Sequence, residues 1–390
     1  MSIPPIRRRG SRISLVLGIV LAAAALLEAS AGYWLAHRGD ETDRARGLLE
    51  ADSRLGWRQR ANLNTTFEGL PLRTNEFGWR ADSLPHGDIA LLLGSSSAFG
   101  WGVAAEDTYA ARLENSFREH GGGLHVVNAA EIGYSTAQGL LQLGGMAIKP
   151  KVLLLAFGYA DVARHRPFWD NELADNEEWT RPHEGALPRS SLVLLARKIS
   201  RHFRAAPFAT PSTRVPASDF EKNLHRLAEA GRAAGSRVIF LGMAGNLPPY
   251  PPLSAEAEKR LAARFAEAVS LFEKSEYEPA RLVFEEIMRL EPRRNEVYPY
   301  LREIAFHRGR RTEVRAYEEM GRLSEPFRTH RDLLAYNAIL RRVAAAEKAT
   351  FVDLYAEFPE ADKSALFLDA LHPSAAGHAR IAAAIERVLR

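Results

Sequence analysis

Short runs of apolar residues, each closed by a turn and alternating with helical stretches, constrain this chain more than any other feature. Ile89-Ala-Leu-Leu-Leu93 is apolar at every position and stops at Gly94. A strand with one wet face alternates apolar and polar residues. A run without that alternation belongs in a sheet covered on both faces, the usual setting of parallel strands. Val152-Leu-Leu-Leu-Ala156 and Val238-Ile-Phe-Leu241 repeat the pattern, and His125-Val-Val127 and Phe351-Val-Asp-Leu354 are weaker versions of it. Helical periodicity falls between and after them, at 109–120, 220–234, 333–346 and 375–389. This predicts an α/β fold: a three-layer α/β/α domain around a mainly parallel five-stranded sheet.

Composition narrows the function. The 390 residues include 52 Lys and Arg against 48 Asp and Glu, a net charge of +4. Arg7, Arg8, Arg9 and Arg12 supply that whole excess and precede the first apolar run. The rest of the chain is neutral, so a nucleic-acid partner is not expected. With no Cys, disulfides, thiolate zinc sites and cysteine nucleophiles are excluded. Residues 1–12 read as a basic cytoplasmic tail and 13–36 as a transmembrane signal anchor. At 1.5 Å per residue the latter spans roughly 36 Å, enough for a bilayer. Tyr33 and Trp34 would sit at the far interface, and Glu28 is the awkward residue. The alternative is a signal peptide cleaved near Ala31. Either way the remainder is exported. The expected location is a bacterial inner membrane, single-pass, with the body in the periplasm or outside; cleavage would make it secreted.

Residues 40–85 read as an irregular lead-in. The α/β domain is divided into 86–254 and 330–390, and 255–325 is helical throughout. Within that insert positions recur at a spacing of 34: Ser275 with Gly309, Ala280 with Val314. Ala268, Leu271, Ala280, Phe284 and Pro292 resemble the small, large, small, aromatic and proline positions of a tetratricopeptide repeat. So few repeats are not stable alone, so the insert is expected to pack on the α/β body. The resemblance implies a protein partner in the envelope; an ordinary pair of helical hairpins is the plainer alternative.

Two signals carry chemistry. Gly94-Ser-Ser-Ser97 follows the first strand directly, where an open parallel sheet places its ligands. Near the other end, Asp369-Ala-Leu-His372 precedes the last helix. A serine nucleophile needs a base, and the base needs an orienting carboxylate; Asp and His three apart on one turn can supply both. Each signal alone is common in loops and caps.

Together, and in this order, they resemble the SGNH (GDSL-type) hydrolase superfamily. Ile89 to Val103 is similar to its first block, which makes Ser96 the nucleophile and places Ser95 where the family has Asp. Val126-Val-Asn-Ala-Ala-Glu-Ile-Gly-Tyr-Ser-Thr136 resembles the second block, with Gly133 as a backbone donor to the oxyanion. Leu155-Ala-Phe-Gly-Tyr-Ala-Asp161 resembles the third, and Asp369 to Gly377 the last. The resemblance implies a flavodoxin-like fold and a serine esterase. Ser96, Asp369 and His372 are its catalytic residues, and the N–H groups of Ser96 and Gly133 form its oxyanion hole. It requires neither cofactor nor metal. The implied substrate is an acylated, most simply acetylated, exported or envelope polysaccharide. The departure is Ala160, which stands where the family has an oxyanion Asn; Asn246 is a weak substitute. Two alternatives follow: a sugar O-acyltransferase, or an impaired, anchored glycan-binding scaffold that uses its insert to hold a partner.

Other residues have plainer readings. Asn128 is expected to form a turn and Asp161 to fix its loop. His165, His183, His202 and His307 show no metal-binding spacing. Trp101 and Trp169 suit either a sugar-binding rim or the core.

Overall fold

The computed structural model describes residues 10–38, 44–45, 47–81, 84–121, 123–163, 190–193, 195–196, 213–250, 253–359 and 363–390. The start of the basic tail, His165, Trp169, His183 and His202 lie outside the described residues. The chain divides into two units, one of 1–57 with 177–207 and one of 58–176 with 208–390.

In the first unit a helix runs over Gly10–Arg38. Its stretch Val16–Leu35 is long and apolar enough to cross a membrane, and almost none of it is buried by protein. Glu28 is not left bare: its carboxylate accepts from the Ser190 hydroxyl at 2.6 Å, from the Leu192 N–H at 3.1 Å and from the Ser191 N–H. Such bonds offset much of the cost of an acid in an apolar helix.

The second unit holds the sheet: β1 (Asp88–Gly94), β2 (Leu124–Asn128), β3 (Val152–Ala156), β4 (Arg237–Leu241) and β5 (Thr350–Val352). Every pairing is parallel, in the order β2-β1-β3-β4-β5. Leu91, Leu92, Leu153 and Leu154 are fully buried, as strands without alternation require. Helices α1 (Tyr109–Glu119), α2 (Thr136–Gly144), α3 (Ala217–Ala233) and, at the chain end, α8 (Ala375–Leu389) pack around it. The sheet is thus the predicted one. The fifth strand is shorter than expected, because the Asp353 carboxylate accepts the Ala356 N–H and starts a helical turn at Leu354. Helix α2 escaped the periodicity reading. Its signal was Ser135-Thr-Ala-Gln138, and the Gln138 side chain indeed accepts the Ser135 N–H at 3.3 Å.

The lead-in is more ordered than expected. Asn64–Phe67 and Leu70–Arg73 form an antiparallel ribbon. Glu68 and Gly69 between them both have positive φ, 51° and 77°, the geometry of a tight two-residue hairpin turn.

Helices α4 (Ala255–Glu273), α5 (Tyr277–Leu290), α6 (Val297–His307) and α7 (Arg311–Ala346) follow β4. Ala268, Ala280, Phe284, Val297 and Ile304 form part of a separate apolar core among α4, α5 and α6. The turns at Ser275 and Gly309, 34 positions apart, both have positive φ (62° and 69°). One boundary moves. The helix expected from residue 333 is the second half of α7, which begins at Arg311 and runs through Pro326. Proline inside a helix removes one backbone bond, and burial beyond it holds the helix together: Leu333, Leu340 and Val343 are fully buried.

Candidate active site

A parallel sheet of order 2-1-3-4-5 has its topological switch point between β1 and β3, and the crevice beyond their carboxyl ends is the usual ligand position. Gly94 ends β1 there. A Cβ on it would lie 2.6 Å from the Ala156 carbonyl oxygen and 2.8 Å from the Ala98 side chain, so only glycine lets the turn close down on β3. Ser96 opens the helical turn Ser96–Phe99, and the chain leaves through Gly100 at φ 87°. A residue at the start of a helical turn has an N–H with no acceptor within the helix.

The Ser96 hydroxyl lies 2.9 Å from His372 Nε2, across 276 residues of sequence. His372 Nδ1 lies 2.7 Å from Asp369 Oδ2. The other Asp369 oxygen accepts two backbone N–H groups, from Leu371 at 2.9 Å and His372 at 2.8 Å, so the turn locks its own carboxylate. Burial pushes the Asp369 pKa up. The hydrogen bond and charge of His372 and the two N–H groups outweigh that and bring it down to about 2. Asp369 is thus a fixed acceptor, which leaves Nδ1 as the protonated nitrogen and Nε2 as the free base facing Ser96. Ser96 and His372 are buried, while the Asp369 side chain is about half exposed (47%).

The flanking loops come from the strands on either side of β1. Gly133, after β2, has φ 76°. Its carbonyl accepts from Arg214 Nη1 at 2.7 Å, while Arg214 Nη2 reaches Gln138 Oε1 at 2.7 Å. Ala160, after β3, is buried and carries no amide. Its neighbours are pinned on both sides. The Tyr159 hydroxyl donates to the Ala244 carbonyl at 2.6 Å and accepts the Ala244 N–H at 2.9 Å, and burial pushes its pKa up to about 12. Asp161 Oδ1 accepts the N–H and hydroxyl of Thr136, as a loop-fixing residue would. Asn246 follows β4, one strand further out; its side chain is exposed and its N–H bonds the Ala370 carbonyl at 2.9 Å. Asn128 holds the second loop, its amide donating to Ala98 O at 3.1 Å and its oxygen accepting the Ala130 N–H at 3.2 Å.

Several supports were not legible in the sequence. Arg80, in the lead-in, donates to Phe99 O, Gly100 O and Val103 O and so holds the far end of the turn that begins at Ser96. Burial lowers its pKa to about 10 without discharging it at neutral pH. Trp101 is buried and stacks on the His372 ring, 5.4 Å between centroids, with Phe67 edge-on behind it at 4.7 Å. Of its two readings, the core one fits. His307 is a surface residue beside Glu303 and Tyr277.

Comparison with known proteins adds the lineage. No curated protein matches the chain in sequence. Among solved structures it is similar to TesA, at 15% identity over 78% of this chain and 98% of the other, with a TM-score of 0.40. An acetylxylan esterase from Geobacillus stearothermophilus has 15% identity over 77% and 93%, TM-score 0.38. The psychrotrophic esterase EstA from Pseudoalteromonas sp. has 12% identity over 77% and 98%, TM-score 0.37. The sequence of residues 92–279, which includes Ser96, Gly133 and Ala160, matches the GDSL-like Lipase/Acylhydrolase family. That match spans just under half of the chain and includes β2, β3 and β4 of the parallel sheet, so this part of the chain resembles the GDSL-like lipase/acylhydrolase family.

Proposed function

We propose that this chain is a serine ester hydrolase in which Ser96 is the nucleophile, His372 the base and Asp369 the residue that orients it. The hydrogen-bonded chain from Ser96 Oγ through the imidazole to the carboxylate carries this reading. His372 Nε2 takes the hydroxyl proton as Ser96 Oγ attacks the ester carbonyl. The backbone N–H groups of Ser96 and Gly133 receive the negative oxygen. The tetrahedral intermediate expels the alcohol, which receives the proton from His372. Water, activated by the same imidazole, then releases the acid and restores Ser96. The substrate class is an acylated carbohydrate, an acetyl ester of an exported or envelope polysaccharide. The apolar N-terminal helix would hold the enzyme at the membrane where such polymers pass. If a sugar hydroxyl took the place of water, the same groups would transfer the acyl group instead.

The buried Ala160 supports a slower enzyme, because a lost oxyanion amide typically costs about 10²–10³ in rate. The test is hydrolysis of p-nitrophenyl acetate by the full-length protein and by Ser96→Ala. The variant should fall to the uncatalysed rate while keeping its fold by circular dichroism. Equal rates in both would remove the esterase and leave a binding protein.

A further inference from the structure

The turn that carries Asp369 and His372 has a second face. Its two middle residues, Ala370 and Leu371, line a cavity of about 620 Å³ whose remaining wall is largely the helical insert. That volume is in the range of sites for small organic ligands. Leu247, Pro299, Tyr317, Pro326 and Leu371 supply apolar surface, and Gly321 leaves room on the α7 side. Arg302, Glu318, Arg322 and Glu325 also line it, and every one of these charges has a partner. Arg302 pairs with Glu318 at 3.0 Å, Arg322 with Glu319 at 2.5 Å, and Glu325 with Arg328 at 2.6 Å. The two cations and two anions balance, so the lining carries no net charge that would favour a charged ligand.

We infer that this cavity is a subsite for the alcohol arm of the ester, and that it takes a bulky, uncharged group with an apolar face. The inference rests on the esterase reading above. The side of the reaction follows from the chemistry. His372 must hand its proton to the departing oxygen, so the alcohol leaves on the side of the imidazole while the acyl carbon stays bonded to Ser96. The cavity abuts the loop that bears this imidazole. The insert thereby selects the alcohol.

Gly321→Leu tests this. A Cβ at that position would approach only Tyr298 Cβ, at 3.4 Å, so the larger side chain enters the cavity without backbone strain. The full-length protein and the variant are compared on ethyl acetate, 2-naphthyl acetate and ethyl octanoate, each as a ratio of variant to wild type. We expect kcat/KM to fall about tenfold for 2-naphthyl acetate, with ethyl acetate and ethyl octanoate unchanged. A fall confined to ethyl octanoate would move the cavity to the acyl side and overturn the assignment. So would three unchanged ratios. Binding of 2-naphthol to Ser96→Ala, followed by its fluorescence, separates the two proposals. Saturable binding that Gly321→Leu abolishes supports the subsite even in a protein that hydrolyses none of the esters. Absence of such binding overturns it, whatever the esterase activity.

Discussion

At the scale of single residues, Ala160 is the informative departure. Its position is fixed by Tyr159 and Asp161 on either side, so an amide placed there would be held rather than free to wander. Ala160→Asn should therefore raise kcat on p-nitrophenyl acetate, by up to about 10²-fold, the usual worth of one oxyanion donor. An unchanged kcat would mean that another group already fills the place. A second residue, His378, sets an acid limit on stability. It is fully buried in α8, its Nδ1 accepts the Tyr109 N–H at 3.1 Å, and its ring stacks on Tyr109. Burial, then the nearby charges of Arg80, Arg112 and His372, lower its pKa from 6.5 to about 3. The unfolded chain binds this proton below pH 6.5 and the folded chain only near 3. Stability from this group is therefore complete above 6.5 and is lost as pH falls towards 3, by up to about 1.4 kcal/mol per pH unit. His378→Asn keeps an acceptor for Tyr109 and should flatten that slope in urea titrations at pH 7, 6 and 5. A parallel slope in the two proteins would show that other groups dominate acid unfolding.

At the scale of elements, the Ser96 turn is held from outside its own strand and helix. Arg80 meets three carbonyls at the point where the chain turns through Gly100, a planar fork that Lys cannot reproduce. Arg80→Lys should lower stability by about 2 kcal/mol. It should also reduce kcat more than it alters KM, because Trp101 on the same turn packs against the His372 ring. Thermal melts and steady-state kinetics on one preparation check both. The strands and the two turns that carry Ser96 and His372 were legible in the sequence because their signals are local: unbroken apolar runs, Gly94, and Asp369 three residues before His372. The Arg80 support was not, since a lone arginine in a loop looks the same whether it caps a turn or faces water. Helix α7 was misdivided for a related reason. The helix runs through Pro326, and only the burial of Leu333, Leu340 and Val343 beyond it shows why it continues.

At the scale of the whole molecule, the apolar helix within Gly10–Arg38 has the length and composition of a membrane anchor or a signal sequence, and we propose the anchor. Full-length protein should sediment with membranes, resist carbonate extraction, dissolve in detergent and keep its N-terminal residues by intact mass. A soluble product lacking the first 31 or so residues would identify a cleaved signal instead. The sequence by itself determined the fold class, the apolar N-terminal segment and the identity of Ser96, Asp369 and His372 as candidates. Those follow from runs and spacings within a few residues, which backbone geometry reads directly. Only the tertiary structure decided that Ser96 and His372 meet at 2.9 Å, that Glu28 finds donors at 190–192, and that the insert and the middle of the Asp369–His372 turn border a common open cavity. Such contacts join segments far apart in the chain. They depend on which way each element turns its side chains once the core has packed, and no local pattern records that.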